Sequence, residues 1–429
     1  MTEKEYDAKG IRVYSALNTS LKSFCLSLYI RAGSNFETDD NNGLSHLFEH
    51  TVFRNLKRKY KNLYNLCALN GIDIDAYTYK ECIRFAITGQ ESGFDFAVEI
   101  MCGIFDCIEL PKAEFEKEKK RVKAEIREAG ERATLDYFFN KIVWKGSEPE
   151  RTIMGSCKNL DKISLKKLNA FRANCFSKNN FFVYVTGNVS KQSMGRFIER
   201  LGTIEMPKTT SLRNNSVKVS DDFFHRKCVV NIKNSYWYCV KIGFDIDSEK
   251  YSNGELDLIY SILFSGDNAL VYNYLSEDNP MIYSYDSVLE QYDNICNLKF
   301  MFEINKKYLA DSLKIIVKML KDIKEGQYDF EANLAYEIYC TETKQDDADS
   351  LNWCLAYNNH ILKGKPIDFS ASNFGRLQLT KEQIQKAVNE IFKTENLTLA
   401  IRGNKKEINC EALQKIIKEL KAANNWIEW

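Results

Sequence analysis

Residues 163–188, ISLKKLNAFRANCFSKNNFFVYVTGN, and residues 379–404, LTKEQIQKAVNEIFKTENLTLAIRGN, align without a gap at an offset of 216. Each segment opens with an N-cap candidate, Ser164 or Thr380, ahead of an amphipathic helix. Each continues into a strand of β-branched and aromatic residues and closes on a Gly-Asn turn, Gly187-Asn188 or Gly403-Asn404. The offset is half the length of this 429-residue chain, which reads as a duplication yielding two domains of one fold. We place them at 1–210 and 220–429, separated near 205–222 by turn formers without a clear period.

The elements around each repeat agree. In the first half, 10–16 and 23–32 read as strands, a helix starts near Gly43, and a strand runs over 72–88. Helices follow at 94–108 and 112–131. In the second half, one or two strands over 228–244 precede helices at 253–264 and 307–324. Helices and hairpin-like strand pairs mix, so the fold class is α+β rather than a doubly wound sheet.

Sixty basic residues face 59 acidic ones, so no net field steers the chain toward nucleic acid or acidic lipid. No apolar run reaches the length of a membrane span, and the start MTEKEYDAKG is not that of a signal peptide. Thirteen scattered cysteines without a CxxC pair read as reduced thiols of a cytoplasmic protein.

The chemistry concentrates in Gly43-Leu44-Ser45-His46-Leu47-Phe48-Glu49-His50. On a helix, His46 and His50 lie one turn apart on one face and can bind the same ion. Imidazole suits Zn²⁺, and a catalytic zinc takes three protein ligands. Glu49, beside that face, is placed to take a proton from water and later deliver it to a leaving amine. This His-x-x-Glu-His order is the inverse of the zincin order. A third ligand is sought on the helix from Lys112, where Glu118 and Glu125, seven apart, share a face. One of them can bind metal while the other supports the site; Glu114, Glu116 and Glu128 read as solvated charges.

On these residues the chain resembles the pitrilysin family of inverzincin metallopeptidases. RAGSNFETDDNNGLSHLFEHTVFRN (31–55) is similar to the family's strand, acidic turn and metal helix. In the family a glutamate some seventy-odd residues beyond the second histidine completes the site. Here 74 residues separate His50 from Glu125, in the context Lys123-Ala124-Glu125-Ile126. The resemblance thus implies Zn²⁺ held by His46, His50 and Glu125, with Glu49 catalytic and Glu118 a nearby supporting acid. It implies two tandem, duplicated α/β-sandwich domains, forming half of a clamshell peptidase. It also implies that the strand Gly71-Ile72-Asp73-Ile74-Asp75-Ala76-Tyr77-Thr78-Tyr79 pairs with substrate backbone through Asp75, Ala76 and Tyr77. Asp75 departs from the family's Asn, keeping an acceptor but losing a donor.

A further departure lies in the second half, where active relatives carry an Arg and, seven residues on, a Tyr that bind the oxyanion. Tyr283 fits the tyrosine position, but Ser276 stands where Arg is expected, and Leu270 replaces another Arg. Losing one oxyanion donor costs about 10²–10³ in rate. Positions offset by 216 from His46 and His50 are Ile262 and Gly266, so the second domain has no zinc pair. The resemblance therefore implies the metal-bearing half of a heterodimeric zinc endopeptidase. Its partner, a second family subunit, supplies Arg and Tyr, and its substrates are short or unfolded peptides, including leader peptides. The rival reading is a catalytically silent, partner-binding subunit. His225 and His360 have no metal-like spacing and read as ordinary surface or core residues.

Overall fold

The computed structural model describes residues 2–177, 179–206, 227–231, 236–362 and 378–420. The stretch expected to separate the domains falls mostly outside these residues, as does His225. The described chain forms two compact units, each built on one mixed sheet.

The first unit comprises Met1–Gly130, Arg151–Asn215 and Glu342–Ser370. Its strands are β1 (Lys4–Ala8), β2 (Ile11–Leu17), β3 (Ser23–Ile30), β4 (Ile72–Thr78), β5 (Ile83–Gln90) and β6 (Phe181–Gly187). They lie in the order β1-β2-β6-β3-β5-β4. Only β2 and β6 run parallel; the other neighbours are antiparallel. All seven residues of β6 are buried, as a central strand covered on both faces requires. Its alternation divides the core. Phe181, Val183 and Val185 enter the large cluster beneath the helices, and Phe182 and Tyr184 point to the other face. There they meet Leu351, Leu355 and Ala356 of the helix Ala348–Ala356.

The second unit comprises Glu131–Glu150, Ser216–Thr341 and Ala371–Trp429. Its strands are β7 (Lys227–Asn231), β8 (Trp237–Asp247), β9 (Tyr285–Gln291), β10 (Ile295–Asn305) and β11 (Leu397–Gly403). The order β7-β11-β8-β10-β9 reproduces that of the first sheet without β1, down to the parallel pair β7–β11. One face holds a large aliphatic cluster. The other receives Leu135, Phe139 and Val143 from the helix Leu135–Val143. Each unit therefore covers one face of its sheet with a helix from the opposite half of the sequence.

The repeat is confirmed at the level of single boundaries. Helices Leu165–Cys175 and Lys381–Ile391, and strands β6 and β11, stand 216 residues apart at both ends. Ser164 and Thr380 cap the helices by accepting from the N–H groups of Lys167 and Gln383. In the first half, the single strand expected over 72–88 is a hairpin. Its turn is closed by the Tyr79 N–H donating to the Cys82 carbonyl at 2.8 Å, and apolar alternation runs through both arms and hides the turn. The helix expected over 94–108 stops at Ile104, where the Phe105 and Asp106 N–H groups bond three residues back in a tightened last turn.

Candidate metal centre

The helix Leu44–Lys59 carries both histidines, and its start is held by side chains outside it. Gly43, at φ +99°, turns the chain into the helix, and a Cβ there would meet the Met154 carbonyl oxygen at 2.6 Å. The buried Glu37 carboxylate accepts from the N–H groups of Gly43 at 2.8 Å and Ser45 at 2.6 Å, and from the Asn42 amide at 2.9 Å. It thus satisfies first-turn donors and sets a negative charge at the positive end of the helix dipole. The Ser45 hydroxyl in turn accepts from the Gly33 N–H at 3.0 Å. Neither Glu37 nor Ser45 follows from the histidine spacing, although an acid several residues ahead of a helix is a signal for such a cap.

The helix Lys112–Ala129 crosses the histidine helix in the opposite direction, as the contacts between them show. His50 meets Glu125, Arg54 meets Glu118 at 3.8 Å and Glu114 at 2.9 Å, and Arg58 meets Glu114 at 2.9 Å. Positions 46, 50, 54 and 58 form one face at single-turn spacing. Phe115 and Val122 are buried in the core and fix the second helix.

His46, His50 and Glu125 bring their donor atoms within 4.8 Å of one another. The Glu125 Oε2 atom stands 3.4 Å from His46 Nε2 and 3.3 Å from His50 Nε2. A tetrahedral ion with bonds of about 2.0–2.1 Å holds its donors about 3.3–3.4 Å apart, so these separations match a zinc ligand shell. Both His46 ring nitrogens are shut off from solvent without a hydrogen bond, an uncommon state for a buried imidazole, and a cation shared with Glu125 would engage Nε2. The three residues therefore fit zinc. Burial pulls the His46 pKa down, but the Glu49 and Glu125 carboxylates outweigh it and leave the value raised. Burial, together with the neighbouring His46, lowers that of His50.

Glu49 sits beside this group, its Oε2 atom 3.7 Å from His46 Nδ1. The Thr78 hydroxyl donates to the same oxygen at 2.6 Å. Thr78 ends β4, so the edge strand terminates at the carboxylate. Asp75, Ala76 and Tyr77 lie on this strand, Asp75 and Tyr77 exposed and Ala76 half-buried. Glu118 is buried against Arg54, one step along the helix pair from the cluster. Tyr283 belongs to the second unit, where it is 97% exposed. The ring of His360 stacks on Tyr14 at 3.7 Å and its Nε2 lies 3.2 Å from Glu3, in keeping with a structural role.

A helix-borne histidine pair, His46 buried and His50 half-buried, converging with a carboxylate from a second helix is an arrangement that fits one divalent cation, with a further acid alongside. Residues 12–156 match the family model described as insulinase (peptidase family M16), and residues 162–335 match the peptidase M16 inactive domain. The chain belongs to this family, the pitrilysin family of its sequence resemblance. Mitochondrial-processing peptidase subunit beta of Rattus norvegicus is 30% identical over 163 residues, 37% of this chain and 33% of the relative. The chain thus spans about a third of that relative's length. A protease from Helicobacter pylori shares the fold at a TM-score of 0.80 with 18% identity, covering 94% of this chain and 99% of the other. The peptidase M16 inactive domain from Pseudomonas fluorescens does so at 0.81 with 15% identity, covering 94% and 98%.

Proposed function

We propose that this chain is the metal-bearing subunit of a cytoplasmic zinc endopeptidase acting on short or unfolded peptides, leader peptides among them. The observation that carries the reading is the convergence of His46, His50 and Glu125 beside Glu49. Zinc held there would supply the Lewis acidity that polarises a scissile carbonyl and acidifies water. Glu49 takes the proton of the attacking water and returns it to the leaving amine nitrogen. Thr78 fixes the orientation of Glu49, and β4 receives the peptide as an added strand, with main-chain hydrogen bonds giving affinity without demanding one sequence. Glu118 holds Arg54 and so keeps the helix pair in register near the ligands.

Oxyanion stabilisation is the missing part, because Ser276 and Leu270 replace the expected arginines. We assign it to an Arg and a Tyr of a second family subunit, with Tyr283 as a lesser contributor. A silent, partner-binding subunit is the second reading, left open by the inactive-domain description of residues 162–335. The test is hydrolysis of a quenched unstructured peptide by zinc-loaded protein, with and without a candidate partner. Glu49→Gln is expected to abolish cleavage while retaining the metal. Cleavage indifferent to Glu49→Gln would reject the mechanism, and none under any condition would favour the silent subunit.

A further inference from the structure

β4 is the terminal strand of its sheet. It pairs with β5 from Ile72 opposite Gly89 to Thr78 opposite Ile83, and its other edge has no strand partner among the described residues. Its side chains alternate sharply. Ile72 and Ile74 are buried in the core, Ala76 packs against it, and Thr78 reaches Glu49. Asp73, Asp75 and Tyr77 point to the opposite face and are exposed. No ion pair or hydrogen bond among the described residues engages either aspartate side chain. The cation on that face, Arg84 opposite Tyr77 in register, is committed elsewhere. It is buried, ion-paired with Asp349, and donates to Ser27 at 3.2 Å. The Tyr77 ring is held by Tyr79, with centroids 6.2 Å apart, and Tyr79 by Trp353 at 4.6 Å.

A peptide strand added to the open edge obeys the same alternation, so every second side chain stands beside Asp73, Asp75 or Tyr77. Opposite charges at such cross-strand positions attract, and the exposed tyrosine face takes a cation or its aliphatic stem. We propose that Asp73 and Asp75 are specificity-determining residues that select lysine or arginine at alternate positions of the bound peptide. The preferred substrates are then basic peptides in extended conformation. The inference rests on the reading of β4 as the peptide-docking strand of a peptidase.

The test compares two peptide isomers of equal charge, so that a general attraction cancels. One threonine-rich decapeptide carries a central Lys-Thr-Lys and the other a central Lys-Lys-Thr. Only the first has a register that sets both lysines on the acidic face; the second puts one lysine on each face in every register. Binding of labelled peptides to full-length Glu49→Gln protein, read by fluorescence anisotropy, keeps the substrate intact. The alternating isomer is expected to bind about two- to fivefold tighter. The ratio should fall to about one in Asp73→Asn and Asp75→Asn, persist in Asp75→Glu, and shrink as salt rises from low to about 1 M. Equal binding of the isomers, or a ratio unchanged by either Asn variant, would overturn the inference. If unmutated protein still cleaves both isomers in that case, the peptidase reading stands alone. Absence of both binding and cleavage would remove both.

Discussion

Glu49 receives a 2.6 Å hydrogen bond from the Thr78 hydroxyl, and that contact ties a helix carboxylate to a strand it does not neighbour in sequence. Thr78→Val keeps the shape and removes the donor. We predict that hydrolysis falls about tenfold, with zinc content unchanged and Thr78→Ser largely restored, as kcat measured beside metal analysis will show. Glu37→Gln tests the other support. It withdraws a charge and one of two strong acceptors from the helix start, so urea unfolding should report a loss of about 1–3 kcal/mol. The grouping of His46 with His50 was readable from the sequence because a one-turn spacing sets both on one face of any helix, and the family resemblance alone singled out Glu125 over Glu118. Thr78 was not, and Glu37 was signalled only as an acid ahead of a helix start, with no indication of which N–H groups it would bind. Their partners lie across a turn and across a sheet edge, and no local period encodes either.

Among elements, the helix Ala348–Ala356 shows what periodicity leaves open. Leu351 and Leu355 mark an apolar face, but nothing in nine residues says which sheet receives it. It joins the first unit, where the Asn352 amide donates to the carbonyls of Cys25 at 3.3 Å and Tyr184 at 3.1 Å, and accepts from the Tyr29 hydroxyl at 2.8 Å. Leu351 is fully buried there, so Leu351→Ala is predicted to cost about 2–5 kcal/mol. The loss should appear as reduced hydrogen-exchange protection in β3 and β6, although the mutation lies in the second half of the sequence. Protection lost only in β8 and β11 would contradict this. The offset of the duplicated helix and strand and the caps that open them were legible, because caps and Gly-Asn turns punctuate both copies. The β4–β5 hairpin was not, since its turn lacks the glycine, proline or asparagine that marks most turns.

For the whole molecule, the two units share one sheet order, and among the described residues a His-His-Glu group that could hold a metal is found in the first alone. On the proposed two-subunit reading a lone chain is a poor catalyst by about 10²–10³, and adding a partner with Arg and Tyr should restore that factor in steady-state cleavage assays. Equal rates with and without the partner would end the two-subunit account. All of this depends on a single cation held by two imidazoles and one carboxylate. The direct measurement is zinc stoichiometry by mass spectrometry of the native protein, for the parent chain and for His46→Ala, His50→Ala and Glu125→Ala. One zinc per parent chain and none retained by the variants after dialysis is the predicted result. A parent without zinc, or variants that hold it as the parent does, would contradict the account.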